Sequence, residues 1–180
     1  METWAHRGEH HDFQENSPQA ILQASVSGFS GVEIDVFFDN ELGLVVSHDE
    51  PYELLDGNVL LLEDVILELP PEFRFWIDLK NLSSSNLKRV RKAFNKVFEL
   101  EAGLLERTFI ESGNGPALRR LNDDFNCIYW VQYNNHGLRG KGKLWSIKFL
   151  LSITNFDGIT TDHRYIDEGF QKHFKGKCWY

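Results

Sequence analysis

One hundred and eighty residues are enough for one domain with a full core, so a single domain over 1–180 is expected. Its 42% hydrophobic and 26% charged residues exclude a disordered or collagen-like chain. Nineteen basic against 27 acidic residues leave a formal charge of −8, which argues against nucleic acid as a partner but not against one phosphate held by a few gathered cations.

The chain alternates short apolar runs with helical segments. Glu2 to His6 reads as a strand and Arg7 to Asn16 as a loop. Ser17-Pro18 opens a helix, since serine caps free N–H groups and proline at the first position needs no donor; Ala20, Ile21, Ala24 and Phe29 supply its inner face. Val32 to Phe38 is a strand, turned by Asp39-Asn40 and Gly43 into Leu44 to Ser47. Glu63 to Leu69 is a short helix stopped by Pro70-Pro71. A fourth strand covers Phe73 to Lys80. Beyond it Leu87, Val90, Arg91, Phe94, Val97 and Phe98 keep helical spacing behind a Ser84 or Ser85 cap. Thr108 to Glu111 is a strand, Pro116 to Leu121 a helix, Cys127 to Gln132 a strand, and the Gly- and Lys-rich Asn134 to Lys143 a loop. Leu144 to Ile153 fits either helix or strand; Gly158 to Thr161 is a last strand, with a terminal helix after it. Strand and helix in this alternation give an α/β fold with a parallel sheet. At this length, an abbreviated TIM-type (β/α) barrel of seven to eight parallel strands is expected.

Cys127 and Cys178 form neither a disulfide framework nor a zinc spacing, and read as one buried small residue and one tail thiol. No apolar run reaches the ~18 residues of a membrane span. The opening Met-Glu-Thr-Trp-Ala-His lacks a basic region followed by an apolar stretch, so a cytoplasmic location is expected. The five tryptophans read mostly as core or wall.

The polar residues of interest gather at strand ends. His6-Arg7-Gly8 follows the first strand, Glu33 and Asp35 lie within the second, His48-Asp49 follows the third, and Asp78 and Lys80 end the fourth. In parallel α/β folds that edge holds the ligand. Glu33 and Asp35, two apart on a strand, share one face, while Val32, Ile34 and Val36 take the other. Two acids side by side lose hydration and repel, so they need a partner. A hard divalent cation is one, with Asp78 as a third ligand; an ion network with Arg7 and Lys80 is the other. His6 and His48 suit a general acid and base, or a zinc site. Arg7 and Lys80 suit an anionic substrate, or serve only to neutralise neighbouring acids. Glu15 and Asn16 line the mouth as metal or phosphate contacts, or merely help start the helix. Glu111 and Trp130 are further pocket residues; for Glu111 a strand-end acid in solvent is the alternative. His10, His11 and Asp12 read as loop, with rim contacts as the lesser alternative.

Four blocks within the first 51 residues carry a resemblance: His6-Arg7-Gly8, Glu15-Asn16-Ser17-Pro18, Gly31-Val32-Glu33-Ile34-Asp35-Val36, and Ser47-His48-Asp49-Glu50-Pro51. In order and spacing they resemble the glycerophosphodiester phosphodiesterase family, as does the closing Asp157-Gly158-Ile159-Thr160-Thr161-Asp162. The resemblance implies a TIM-type barrel and metal-dependent hydrolysis of a small-molecule glycerophosphodiester to glycerol 3-phosphate and an alcohol. It implies His6 and His48 as the acid/base pair and Glu33 and Asp35 as ligands of a divalent cation, Mg²⁺ or Ca²⁺ with Mn²⁺ as a further option. Three departures stand out. Asp78-Leu79-Lys80 replaces the family's usual Glu-x-Lys, an aspartate shared with sphingomyelinase D-like phospholipases, which keeps formation of a cyclic phosphate as the alternative. The stretch after His48 is short, and Gln132 to Asp157 has room for one clear element. A non-catalytic phosphate-binding module on the same fold is the rival of another class.

Overall fold

A computed structural model describes residues 3–52, 54–55, 57–132, 137–166 and 168–174. Within these the chain forms two compact units, Met1–Ile110 and Glu111–Tyr180. Glu2 and Cys178 lie outside the described residues.

In the first unit, β1 (Trp4–His6), β2 (Gly31–Asp39) and β6 (Arg74–Leu79) are parallel neighbours, β2 lying between the other two. The register pairs His6 with Glu33, Glu33 with Trp76 and Asp35 with Asp78. Partners in register share a face, so one face carries Trp4, His6, Glu33, Asp35, Trp76 and Asp78. Ala5, Val32, Ile34, Val36, Phe75, Ile77 and Leu79 form the opposite face. All are buried, together with Ala20, Ile21 and Ala24 of α1 (Pro18–Val26) and Leu87, Val90 and Phe94 of α3 (Leu87–Phe98). Each Val, Leu, Ile or Phe among them contributes about 1.5–3 kcal/mol on leaving water. That burial holds the polar face in place.

Local chemistry sets the helix boundaries. Ser17 Oγ accepts the Ala20 N–H at 3.2 Å, and Pro18 stands at the first position of α1 as expected. Phe29 falls after the Ser27 cap and is only half-buried, because the helix ends at Val26. The cap of α3 is Asn86 rather than Ser84 or Ser85. Its Oδ1 accepts the Ser83 N–H at 2.9 Å, and its own N–H meets Ser83 Oγ at 3.3 Å.

The third strand departs from the parallel pattern. The three residues between β2 and β3 (Gly43–Val46) allow only a hairpin, and β3 pairs antiparallel with β2, Asp39 to Gly43 and Val36 to Val46. A small antiparallel hairpin, β4 (Leu54–Leu55) with β5 (Asn58–Val59), follows; its signal was the Asp-Gly at 56–57 between apolar residues. Next comes α2 (Leu62–Leu67), as its sequence indicates.

β7 (Thr108–Ser112) runs from the first unit into the second. There α4 (Gly115–Leu121), β8 (Cys127–Trp130), α5 (Gly137–Ile153), β9 (Gly158–Thr160) and α6 (Glu168–His173) follow, with β8 and β9 parallel. Asn114 caps α4 through the Ala117 N–H at 3.3 Å. The Asp157 carboxylate accepts the Cys127 N–H at 2.8 Å, which ties the two strands together where they begin. Cys127 is buried, as expected. The predicted loop Asn134 to Lys143 is corrected: residues 134–136 lie outside the described residues, and α5 already begins at Gly137. Glycine at 137, 140 and 142 lowers helix propensity, but Ile147 and Leu151 bury one side of α5 and burial prevails.

Candidate active site

Glu33, Asp35 and Asp78 come together on the polar face of the first unit. Each offers one carboxylate oxygen, and these oxygens all lie within 4.8 Å of one another. Asp35 is almost wholly enclosed, its side chain 1% exposed. Acids so close exist in the folded chain only with counter-charge, and two cations provide it. Lys80 Nζ stands 2.5 Å from Asp35 Oδ1 and also pairs with Asp78, while Arg7 Nε lies 2.8 Å from Asp35 Oδ2 as an ion pair. The ion network with Arg7 and Lys80 that was one of the two readings is thus present, and it joins the same carboxylates that the other reading gave to a divalent cation.

The loop after β1 is built for this contact. Arg7 adopts a left-handed backbone at φ 56° and Gly8 follows at φ 88°. A Cβ on Gly8 would fall 2.6 Å from the Ala20 carbonyl carbon, so only glycine lets the loop lie on α1. The Arg7 N–H meets the Glu33 carbonyl at 3.0 Å and Glu33 Oε2 at 3.2 Å. The guanidinium then reaches Glu15 through Nη1 at 2.6 Å. Asn16 is buried and also left-handed, at φ 58°. Its Nδ2 donates to Asp35 Oδ2 at 2.9 Å and its Oδ1 accepts the Asp35 N–H at 3.2 Å. Thus Glu15 holds the arginine and Asn16 holds the central acid; neither contact is a mere helix start.

His6 Nε2 lies 3.8 Å from Glu33 Oε2, with 66% of the side chain exposed. Partial burial, then the Arg7 charge, lower its pKa below the ordinary histidine value. His48 arrives by a different route from the one expected. It does not end a parallel strand. Instead β2 continues outward, β3 returns antiparallel, and the Ser47 N–H donates to the Asp35 carbonyl at 3.1 Å, which sets His48 back at the level of the acids. Its Nδ1 stands 2.9 Å from Asp49 Oδ2. Asp78 has its pKa raised, by burial first; the Lys80 and His48 charges oppose this and the Asp35 carboxylate adds to it. Burial acts against the Lys80 charge, but the Asp78 and Asp35 carboxylates outweigh it and raise that pKa.

Glu111 is buried in β7, so the solvent alternative falls, and Trp130 closes β8, half-buried; both belong to the second unit. One rim contact that the sequence offered as the lesser alternative is present, and one further feature escaped it. His10 Nε2 approaches Glu15 Oε1 at 3.6 Å, which brings a third imidazole to the Arg7 loop. Beneath the acids lies an aromatic floor: Trp4 meets Trp76 edge-on at 5.7 Å, and the Arg74 guanidinium lies 5.3 Å from the Trp4 ring and 5.0 Å from Phe109. Its signal was the every-second-residue series Arg74, Trp76, Asp78, Lys80.

Three carboxylate oxygens make a hard donor set, the chemistry that Mg²⁺ and Ca²⁺ select, so the residues fit a divalent cation. Histidine, carboxylate and guanidinium in one place are equipped for proton transfer beside an anionic group.

A model of the glycerophosphoryl diester phosphodiesterase family matches residues 6–119, which include the whole carboxylate cluster. No curated protein matches the chain. Among solved structures, the glycerophosphodiester phosphodiesterase of Thermotoga maritima is similar at 18% identity over 97% of this chain and 80% of that one, with a TM-score of 0.69. The glycerophosphodiester phosphodiesterase of Parabacteroides distasonis is 20% identical over 94% and 76%, also at 0.69. An Oleispira antarctica phosphodiesterase solved with the product sn-glycerol-3-phosphate is 14% identical over 100% and 84%, at 0.70. At these identities the structures show a shared fold, and it is the expected α/β one of TIM type. From the family match, which covers more than half of its length, the chain belongs to the glycerophosphoryl diester phosphodiesterase family, a family of phosphoric diester hydrolases.

Proposed function

We propose that the chain hydrolyses a small glycerophosphodiester to a phosphomonoester and an alcohol, with a divalent cation held by Glu33, Asp35 and Asp78 and with His6 and His48 as the acid/base pair. The observation that carries this reading is the convergence of three carboxylate oxygens within 4.8 Å, beside His6 and Arg7. The product sn-glycerol-3-phosphate bound to the Oleispira phosphodiesterase supports a small phosphate ester as the product here as well. Mg²⁺, Ca²⁺ and Mn²⁺ all suit the oxygen donors. Bound there, such an ion supplies Lewis-acid stabilisation of charge on a non-bridging phosphate oxygen.

The protein side chains do the rest. Arg7 and Lys80, now against acids, supply positive charge where an anionic diester must bind. Glu15 fixes the Arg7 guanidinium and thereby its direction. The lowered pKa of His6 favours its neutral imidazole, which can take a proton from the attacking hydroxyl; His48 can then protonate the departing alkoxide. Where the attacking hydroxyl is water the product is a monoester, and where it belongs to the substrate the product is a cyclic phosphate.

A steady-state assay on a glycerophosphodiester with each metal, against EDTA, tests this. His6→Ala and His48→Ala should each lower kcat by at least ~10²-fold, while calorimetric metal binding stays close to that of the parent. Parent-like rates in either variant remove the acid/base assignment, and turnover undiminished by EDTA removes the cation. Phosphorus NMR of the products separates monoester from cyclic ester.

A further inference from the structure

The second unit has a surface for which neither the proton transfers nor the carboxylate cluster has a use. Helix α5 is apolar on two sides. Ile147 and Leu151 are buried, yet on the other side Trp145, Phe149 and Ile153, four residues apart, are 70%, 53% and 43% exposed. The Trp145 and Phe149 rings stack at 5.8 Å with 8° between their planes, so they form one continuous apolar ledge. Beside it runs a groove of about 460 Å³ between α5 and α4, edged by Arg119, Arg120 and Lys143 and with no acidic residue among the described residues of its lining. Segment 137–153 bears Arg139, Lys141, Lys143 and Lys148 and no acid, in a chain whose net charge is −8. The hydrogen-bond partners of Lys143 and Lys148 are uncharged or titratable, Gln132 Oε1 at 3.0 Å and His173 Nδ1 at 2.8 Å, so no carboxylate stands against either in those contacts.

We propose that this face of α5 docks the protein onto an anionic lipid surface. Exposed tryptophan and phenylalanine seated among lysine and arginine are what the boundary between headgroups and acyl chains selects, since the rings leave water while the cations meet phosphate. Charge settles the occupant. The chain as a whole is repelled by an anionic bilayer, and α5 with the α4 arginines is a cationic surface that reverses this locally. A second copy in two-fold contact would set this cationic face against itself, which is poorer complementarity. No helix among the described residues is long and apolar enough to cross a membrane. This inference stands apart from the proposed chemistry, since it needs neither the cation nor turnover.

The test is co-sedimentation of the intact chain with vesicles of phosphatidylcholine alone and with phosphatidylglycerol added, at low and high salt. The parent should bind the phosphatidylglycerol vesicles, lose that binding in high salt, and show a blue shift of tryptophan emission that the Trp145→Ala variant lacks. Trp145→Ala/Phe149→Ala and, separately, Lys143→Glu/Lys148→Glu should each weaken binding by about tenfold or more without changing turnover of a soluble diester. The charge pair sits on exposed helix surface, so it reports even where the aromatic pair unfolds the chain. Failure of the parent to bind, or equal binding by the Lys143→Glu/Lys148→Glu variant, overturns the proposal. So does a parent dimer in light scattering that Trp145→Ala/Phe149→Ala converts to monomer, which assigns the ledge to a second copy instead.

Discussion

Asn16 is where a single side chain does most for the candidate site. Its left-handed backbone, at φ 58°, is a conformation asparagine tolerates better than most residues, and its amide grips Asp35 at both the carboxylate and the N–H. Asn16→Ala leaves a buried N–H without this acceptor and a buried carboxylate without this neutral donor. Such losses amount to about 1–3 kcal/mol, so urea unfolding should show destabilisation in that range, with weaker divalent-ion binding by calorimetry. An Asn16→Ala chain as stable as the parent contradicts this account. From the sequence, Asn16 and Glu15 were weak candidates, because nothing in local spacing shows a side chain reaching an acid 19 residues on. Glu33 and Asp35 were legible for the opposite reason. A strand alternates faces whatever surrounds it, so two acids two apart must share one. Arg7 and Lys80 were legible as cations near the site and as partners for the two acids, but that both converge on Asp35 follows from β1 and β6 flanking β2, which only the fold supplies.

At the scale of elements, the hairpin of β2 and β3 decides where His48 stands. The turn itself was readable from Asp39-Asn40 and Gly43, whereas its consequence was not: a strand expected to be parallel returns antiparallel and delivers its histidine from the far side. Asp39 holds the turn. Its Oδ1 accepts the N–H groups of Glu41 at 2.7 Å and Leu42 at 3.0 Å, and its Oδ2 accepts the Tyr52 hydroxyl at 3.1 Å. The Leu42 and Glu41 N–H groups depress the Asp39 pKa, and burial with the same contact raises the Tyr52 hydroxyl to about 12. A carboxyl whose folded pKa is depressed stabilises above its unfolded value, near ~3.9, and loses that stabilisation as pH falls through the folded one. Asp39→Ala should therefore cost about 1 kcal/mol at neutral pH. The gap between variant and parent in chemical unfolding should close once pH drops below the ordinary carboxylate range. A gap that persists undiminished in acid assigns the effect to packing rather than to the charge. α5 illustrates the reverse limit of reading by pattern. Being apolar on two sides, it has no single stripe, so periodicity could not separate helix from strand, and its glycines pointed to a loop.

For the molecule as a whole, the telling quantity is charge gathered by folding. Four carboxylates, Glu15, Glu33, Asp35 and Asp78, meet two permanent cations, Arg7 and Lys80, in the first unit, within a chain already at −8. Acids outnumber those cations by two, the charge a single divalent ion brings. The ligands come from β2 and from the end of β6, so the unfolded chain has no such site, and an ion that binds only the folded form stabilises it by mass action. At a hundredfold excess over its dissociation constant that amounts to about 2.7 kcal/mol, or on the order of 5–10 °C for a chain of this size. Because the chain forms two compact units, scanning calorimetry offers a sharper readout than a single midpoint. The transition of the unit that contains β2 and β6 should rise with Mg²⁺, Ca²⁺ or Mn²⁺, and EDTA should reverse the rise. Asp78→Asn keeps the shape of the side chain while removing one ligand charge, and should lose most of the shift. An equal rise in the parent and in Asp78→Asn would mean that the ion binds elsewhere, and the three carboxylates would then be held by Arg7 and Lys80 alone.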